Sequence, residues 1–116
     1  MVNVMKTLMK IFAALLLLTN CSSITVPSDY VYKEVETRNF TIVTWQKITN
    51  PQGVYKIYIE GDGYAFNSHG KPTHAPTPRG TLVRKPAFGD KSPNVIYLAR
   101  PCQYIKSPMC SQRHWT

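Results

Sequence analysis

The stretch that most constrains the fold spans residues 55–66 and joins an apolar strand to a glycine turn. Its first half, with residue 54 in front, is β-branched or aromatic at nearly every position, which is typical of a strand buried on both faces. Glu60-Gly61-Asp62-Gly63 follows at once, and its glycines permit a sharp turn that leaves backbone N–H groups uncovered. The sequence therefore predicts an interior strand whose end presents bare amides, which is a natural place to stabilise an oxyanion.

The first 21 residues have the pattern of a secretory signal. Lys6 and Lys10 form a basic start, residues 11–18 are a short apolar core, and Leu18-Thr19-Asn20-Cys21 closes the segment. An apolar core of this length is too short for a comfortable membrane span. We therefore expect residues 1–21 to be a targeting segment, residues 22–39 a tether with a possible edge strand, and residues 40–116 the folded part.

The end of the signal resembles the lipobox of bacterial lipoproteins, in which the cysteine is acylated through its sulfur. Asn20 departs from this pattern, because the residue before the cysteine is usually Gly, Ala or Ser. Lipidation of Cys21 is our first interpretation, with ordinary signal cleavage or an uncleaved anchor as alternatives. The resemblance implies an exported protein of the cell envelope, held on the membrane by its N-terminal lipid and facing the periplasm, or else secreted.

The basic charge of the chain does not indicate a nucleic-acid partner. The net charge is +8, and it falls to +6 without the two lysines of the signal. The remaining basic residues are scattered from Lys33 to Arg113 without a run, and an exported chain does not meet nucleic acid in its usual compartment. We interpret the charge as a solvated surface and predict no nucleic-acid binding.

Two cysteines remain beyond Cys21. Cys102 and Cys110 form an even pair with seven residues between them, which in an oxidising compartment favours a disulfide over two free thiols. Zinc would need two further ligands, and the histidines show no ligand spacing with these cysteines. No metal and no cofactor is therefore predicted.

Two further strands are predicted before and after the glycine turn. Residues 40–45 alternate like a strand, and the turn Asn50-Pro51-Gln52-Gly53 leads from them to residues 54–59. A loop this short predicts that the two strands are antiparallel neighbours in a hairpin. Residues 94–99 are a continuous apolar run and the clearest remaining strand.

A short helix is predicted over residues 81–88, between the glycine turn and the last strand. Pro86 should end or kink it around Arg84 and Lys85, because proline lacks an N–H and clashes with the preceding turn. A strand, a helix and a strand in this order form one right-handed crossover. Ile57 and Ile96 should therefore lie in parallel strands of one sheet.

Three separated motifs resemble a group of proteobacterial exported α/β-hydrolases. They are Tyr58-Ile-Glu-Gly-Asp-Gly-Tyr-Ala-Phe66, then Pro76-Thr-Pro-Arg-Gly80, then Tyr97-Leu-Ala-Arg-Pro-Cys-Gln-Tyr104 with Cys110-Ser-Gln-Arg-His-Trp115. The motifs occur in the same order as in that group. The resemblance implies that residues 40–116 are the N-terminal fragment of an α/β-hydrolase domain, with an incomplete sheet made of a hairpin and one strand-helix-strand crossover.

In α/β-hydrolases the loop after the third strand supplies one oxyanion-hole N–H, and the residue after the nucleophile supplies the other. The resemblance assigns the first donor to Asp62, with Gly63 as second choice, in a loop where Glu60-Gly61 stand in place of the frequent His-Gly. The nucleophile motif Gly-x-Ser-x-Gly does not occur in the sequence. The resemblance thus implies serine esterase or lipase ancestry, no catalysis by this chain alone, and a complementary C-terminal hydrolase fragment as partner.

The polar residues allow other uses, which the sequence favours less. Adjacent Ser68 and His69 are expected to point apart, and Ser111 with His114 lacks a nearby acid, so no local nucleophile is predicted. Glu60 and Asp62 could bind a cation. We expect instead that one carboxylate orders the glycine turn and that the other pairs with an arginine, either Arg79 or Arg100.

A rival interpretation is a self-sufficient small envelope lipoprotein. Residues 67–78 are rich in Pro, Gly, His, Ser and Thr, and they predict an ordered but irregular loop. In this interpretation the loop binds a ligand or a partner together with the aromatic side chains of Tyr64, Phe66 and Tyr104.

Overall fold

The computed structural model describes residues 3–6, which form one helical turn, and residues 25–115. The second part contains β1 (Val31–Glu36), β2 (Thr41–Ile48), β3 (Lys56–Ile59), helix α1 (Arg84–Gly89), β4 (Asn94–Leu98) and a 3-10 helix (Gln112–His114). The four strands form one mixed sheet in the order β1-β2-β4-β3. The described residues therefore combine a mixed four-stranded sheet with few helices, which fits the mixed α and β class. The predicted signal core and the lipidation site Cys21 lie outside the described residues.

Strands β1 and β2 form an antiparallel hairpin at one edge of the sheet. Val31 pairs with Gln46 at one end and Glu36 pairs with Thr41 at the other. The turn is closed by the Thr37 amide, which donates to the Phe40 carbonyl at 2.8 Å. The possible edge strand that the sequence predicted within residues 22–39 is thus confirmed as β1.

The predicted hairpin between β2 and β3 is wrong, because β4 lies between them. Asn94, which is fully buried at the start of β4, hydrogen-bonds to the loop that connects β2 with β3. Its side-chain Nδ2 donates to the carbonyls of Asn50 at 2.6 Å and Val54 at 3.1 Å, and its Oδ1 accepts from the Asn50 amide at 3.0 Å. The turn therefore crosses the end of β4 instead of joining neighbouring strands.

Strand β3 lies at the opposite edge and pairs with β4 in parallel. Ile57 stands directly opposite Ile96, as the crossover predicted. The prediction that β3 is buried on both faces is wrong, since Ile57 is 55% exposed and Ile59 is 61% exposed. Aliphatic residues at successive positions do not distinguish an interior strand from an edge strand whose outer face is bare.

Helix α1 begins where the sequence predicted an end. Pro86 is the third residue of the helix, which starts at Arg84. The first amides of a helix have no intrahelical acceptor, so a proline within the first turn removes no hydrogen bond. The prediction that Pro86 terminates or kinks this helix is therefore wrong.

One face of the sheet, the inner face, carries the core. It is formed by alternate strand residues that pack on α1 and on the preceding and following loops, with Val43, Ala87, Tyr97 and Ala99 at the centre. Trp45 contacts Tyr97, Phe88 and Tyr104 with ring centroids 5.1–6.4 Å apart. The Tyr30 hydroxyl donates to the Ala87 carbonyl at 2.8 Å, and burial raises the pKa of Tyr30 to about 12.

The other face, the open face, is incompletely covered and carries aliphatic residues together with the polar residues Lys33, Thr44, Gln46 and Asn94. Register places on it Val31, Val35, Ile42, Ile48, Ile57, Ile59, Ile96 and Leu98. Five of these side chains are 40–61% exposed. The aliphatic residues are contiguous only on β3 and β4, where Ile57 and Ile59 lie beside Ile96 and Leu98, because Lys33, Thr44 and Gln46 interrupt the face on β1 and β2.

The predicted disulfide is confirmed between Cys102 and Cys110. It closes a short loop, for which the chain-entropy contribution to stability is roughly 2.5 kcal/mol. Cys102 and Tyr104 have φ angles of 70° and 65°, so the chain turns tightly at this loop. Within residues 3–6 and 25–115, no helix is both long enough and apolar enough to span a bilayer.

Candidate functional site

The carboxyl ends of β3 and β4 lie side by side, and the loops that follow them meet there. Gln103, which is 1% exposed, connects the two loops. Its Nε2 donates to the Gly61 carbonyl at 2.9 Å, and its Oε1 accepts from the Arg100 amide at 2.9 Å. Asp62 also forms an ion pair with Arg100. In open α/β sheets this edge is the usual location of ligand sites.

Glu60 anchors the glycine turn to the core. It is 8% exposed. Its Oε1 accepts from the Gly61 amide at 3.0 Å, and its Oε2 accepts from the Tyr97 hydroxyl at 2.5 Å. One carboxylate thus orders the turn while the other, on Asp62, pairs with Arg100, as the sequence predicted.

The buried Tyr97 and the partly buried Tyr104 extend this network. The hydroxyl groups of Tyr97 and Tyr104 are 3.0 Å apart, and the Tyr104 amide donates to Thr77 Oγ1 at 2.8 Å. Burial, together with the hydrogen bond to Glu60, raises the pKa of Tyr97, and burial also raises the pKa of Tyr104. Both phenols therefore stay protonated at neutral pH, so that the Tyr97 hydroxyl donates to the Glu60 carboxylate.

Sequence reasoning did not assign a role to Tyr97 or Gln103. Tyr97 occupies an inward position of an apolar strand, where a tyrosine hydroxyl needs a buried hydrogen-bond partner. A tyrosine within this apolar run was therefore the one sequence feature that could have indicated a polar contact in the core. Gln103 offered no signal in the sequence, because its two partners lie in loops that come together only in the folded sheet.

The three predicted oxyanion-loop residues differ in whether their amides are free. The Gly61 N–H is engaged by Glu60. In the part of the chain that the structure describes, the amides of Asp62 and Gly63 donate to no protein acceptor. The free donors are thus the two residues named as first and second choice.

Gly63 is required at its position by both its backbone angle and its surroundings. Its φ is +63°, and a Cβ built there would lie 2.1 Å from the Pro76 carbonyl oxygen. That oxygen accepts from the Tyr64 amide at 2.9 Å, so it is held in place. A side chain at this position would displace the loop that carries the free amides.

A depression of about 260 Å³ opens beside the turn. Its lining consists of the turn itself and an apolar shoulder before α1: Glu60, Gly61, Asp62, Gly63, Pro78, Arg79, Gly80, Leu82 and Val83. Leu82 is 90% exposed, and the Arg79 guanidinium lies 3.6 Å from the centroid of the Tyr64 ring. Residues of the glycine turn and aliphatic side chains therefore line the same depression.

Ser68 and His69 do not point apart as the sequence predicted. Ser68 Oγ lies 3.4 Å from His69 Nδ1. The Asn67 side chain accepts from the amides of His69 and Lys71, and this curls the loop so that the two neighbouring side chains meet. No carboxylate among residues 3–6 and 25–115 hydrogen-bonds to the His69 ring, which is exposed.

The described residues contain no group of three or more His, Cys, Asp and Glu side chains that could hold a metal ion. Glu60 and Asp62, the acidic pair considered from the sequence, have protein partners. The glycine turn itself offers backbone hydrogen-bond donors, and the phenols of Tyr97 and Tyr104 and an aliphatic wall lie beside it.

Comparisons with known proteins do not identify a relative of this chain. No family model, no curated protein and no solved structure matches it. The resemblance of the three sequence motifs to α/β-hydrolases therefore stays a prediction, and the function has to be inferred from the geometry of the site.

Proposed function

We propose that this chain carries the oxyanion-binding half of an acyl hydrolase of the serine esterase or lipase type. The observation that carries the proposal is the pair of free amides on Asp62 and Gly63, at the carboxyl end of β3 and beside an aliphatic depression. These amides are donors for the negative charge that forms on an ester carbonyl oxygen when a nucleophile attacks it.

The element order supports this proposal. The antiparallel hairpin of β1 and β2 is followed by β3, the glycine turn, helix α1 and β4, which is parallel to β3. In α/β-hydrolases the oxyanion donor that does not belong to the nucleophile comes from the loop between the third strand and the first helix. Asp62 and Gly63 lie in the loop between β3 and α1 of this chain.

The proposed contribution of this half is electrostatic. One well-placed N–H donor lowers the transition-state free energy of acyl transfer by about 3 kcal/mol. The serine that attacks the carbonyl carbon, and the histidine and acid that move its proton, belong to a segment outside these 116 residues. The aliphatic shoulder at Leu82 and Val83 suits an apolar acyl group next to the scissile carbonyl.

In our proposal the chain has no hydrolase activity by itself. Its partner is a complementary C-terminal hydrolase fragment. The proposed location is the cell envelope, with export directed by residues 1–21 and membrane attachment through an acylated Cys21.

A complementation assay tests the proposal. The chain is purified with and without the polypeptide encoded directly beyond the Thr116 codon, and turnover of a p-nitrophenyl ester is measured. We expect no turnover by the chain alone and phosphonate-sensitive turnover by the mixture. Turnover by the chain alone, or a downstream polypeptide without Gly-x-Ser-x-Gly, would contradict the proposal.

A second candidate is the ligand-binding module, which one observation favours. The loop that follows the glycine turn folds on itself through two backbone hydrogen bonds. The Thr73 amide donates to the Ala65 carbonyl at 2.8 Å, and the Asn67 amide donates to the Lys71 carbonyl at 2.9 Å. Phe66 is 46% exposed on this loop. Absence of ester turnover by the mixture with the downstream polypeptide would favour this module, and phosphonate-sensitive turnover by the mixture would favour the hydrolase half.

A further inference from the structure

We propose that a second cavity, between the glycine turn and the 3-10 helix, binds a small aromatic carboxylate. This cavity has a volume of about 290 Å³. It differs from the depression beside the turn, and among the described residues Asp62 alone lines both. A ligand in this cavity is independent of the proposed ester hydrolysis, since its binding needs neither a nucleophile nor a second polypeptide.

The second cavity lies where the glycine turn, the loop after β4 and the 3-10 helix meet. The residues that bear on binding are Asp62, Arg100, Pro101, Arg113, His114 and Trp115. Its volume corresponds to about ten water-sized groups at about 30 Å³ each, and small-molecule sites usually begin at about 300 Å³. The cavity therefore suits a compact ligand with one ring and one charged group.

The lining of the second cavity has an excess of positive charge. It contains two arginines and one aspartate, which is a formal excess of one positive charge with the histidine counted as neutral. Arg100 forms an ion pair with Asp62 through its Nη1. The exposed Arg113 has no hydrogen bond or ion pair with the residues that the structure describes. The charge that is available to a ligand is therefore that of Arg113.

A single uncompensated guanidinium favours a planar monoanion. Its parallel N–H donors match the two oxygens of a carboxylate, and the concave wall strengthens the attraction relative to an arginine on a flat surface. A dianion such as phosphate gains less, because the Asp62 carboxylate at the same cavity repels its second charge. The charge balance thus favours a carboxylate over a phosphate.

The remaining wall of the second cavity is apolar. The indole Nε1 of Trp115 donates to the Thr73 carbonyl at 3.1 Å, so the one polar atom of this ring is already engaged. The indole therefore offers carbon surface to a ligand. Pro76 and Pro101 lie in the same lining and have no backbone N–H. An aromatic ring attached to the carboxylate can pack against these side chains.

The backbone that carries Arg113 is fastened on both sides. Gln112 Nε2 donates to the Pro72 carbonyl at 3.3 Å, and Trp115 is held by its bond to Thr73. The His114 ring packs edge-on against the Phe40 ring with centroids 5.5 Å apart. A ligand therefore has to order mainly the side chain of Arg113 and not its backbone, which lowers the entropic cost of binding.

Anionic membranes and nucleic acids fit the second cavity less well. Recognition of lipid headgroups or of a phosphate backbone typically needs a cluster or stripe of basic side chains, about four to eight of them for a lipid surface. Two arginines line this cavity, and one of them is paired with Asp62. A small soluble anion is the ligand that this charge can hold.

Binding of benzoate to the full chain, purified in a nonionic detergent, tests the site. Benzamide is the uncharged analogue of the same shape. The dissociation constant is measured at constant ionic strength from the NMR shift of the Trp115 indole N–H. We expect a Kd of about 1 mM for benzoate, as for a small fragment held by one ion pair, and binding of benzamide that is weaker by about fivefold or more.

Charge variants in opposite directions make the test specific. Arg113→Gln should weaken benzoate binding about fivefold, and Arg113→Lys should recover only part of the loss because an ammonium group has no bidentate geometry. Asp62→Asn should strengthen binding about threefold, since it removes the repelling carboxylate and releases Arg100. Lys91→Gln is the matched control: it removes a charge just before β4, at the opposite end of the sheet, and should change the Kd by less than about 1.5-fold.

The melting temperature of each variant is measured alongside. The Asp62 side chain is 76% exposed, so Asp62→Asn should remain folded, and tighter binding by this variant cannot result from damage to the fold. Equal losses for Arg113→Gln and Lys91→Gln, equal Kd values for benzoate and benzamide, or a wild-type Kd above about 20 mM would overturn the proposal. So would tighter binding of inorganic phosphate than of benzoate, weaker benzoate binding by folded Asp62→Asn, or Arg113-dependent binding to phosphatidylglycerol vesicles by a chain that does not bind benzoate.

Discussion

Replacing Gly63 by alanine tests whether the glycine turn is held as the structure indicates. The new Cβ would lie 2.1 Å from the Pro76 carbonyl oxygen, at a backbone φ of +63°. Relief requires movement of about 1 Å, which would break the 2.9 Å hydrogen bond from the Tyr64 amide to the same oxygen. We therefore expect Gly63→Ala to destabilise the protein strongly.

The magnitude follows from separate contributions. A positive φ costs alanine about 1–2 kcal/mol, and the reduced freedom of the unfolded chain offsets about 0.4–1 kcal/mol of this. Loss of the hydrogen bond that Pro76 accepts costs about 1 kcal/mol, and residual overpacking costs at least about 1 kcal/mol more. The sum is about 3 kcal/mol, which corresponds to a decrease of about 12–24 °C in Tm for a domain of this size.

Two other glycines provide controls that separate strain from steric overlap. Gly70 has a φ of +71° and open space within 4 Å of the position that a Cβ would occupy, and Gly61 has neither a positive φ nor a neighbour within that distance. Gly70→Ala should cost about 1 kcal/mol, and Gly61→Ala should lie within about 0.5 kcal/mol of the wild type or above it. Urea and thermal unfolding of the three variants give the comparison. Equal stabilities for Gly63→Ala and Gly70→Ala would refute the close approach of Pro76.

Two further predictions concern acidity and membrane attachment. Hydrogen bonds from Ser92 and Tyr58 hold the pKa of Asp90 well below its usual range. The stability that these bonds provide is fully present above about pH 4, which is the pKa of an aspartate in the unfolded chain. It is lost as the pH falls through the lower pKa of Asp90 in the folded protein. The urea midpoint of the wild type should therefore fall more steeply below about pH 4 than that of Asp90→Asn. Parallel profiles for the wild type and Asp90→Asn would contradict this. Labelled palmitate should enter the chain in a bacterial host and should be absent from Cys21→Ala, whereas equal labelling of both would exclude acylation at this cysteine.

The local elements of the sheet could be predicted from the sequence, but their order could not. The β-branched and aromatic runs indicated the strands, and the crossover rule predicted the parallel pairing of Ile57 with Ile96. The neighbour of β2 was predicted wrongly because loop length alone favoured a hairpin. The hydrogen bonds from the buried Asn94 side chain to the loop between β2 and β3 could not be predicted from the pattern of apolar residues.

The candidate site was predictable to a similar degree. The acidic pair at the glycine turn behaves as its composition indicated, with Glu60 on the turn and Asp62 on Arg100. Which amides remain free depends on the side-chain rotamer of Glu60, and which residue fastens the turn depends on Gln103, more than 40 residues away. Spacing in the sequence contains no information on either contact.

Gln103 has a mechanical consequence for this edge of the sheet. Its side-chain amide hydrogen-bonds the glycine turn to a loop that the disulfide closes, so we expect a displacement of that loop to pull on the turn. Loosening of the Cys102 loop, whether by reduction of its sulfurs or by contact with another molecule, would therefore weaken one support of the Gly61 backbone and leave the support from Glu60 in place.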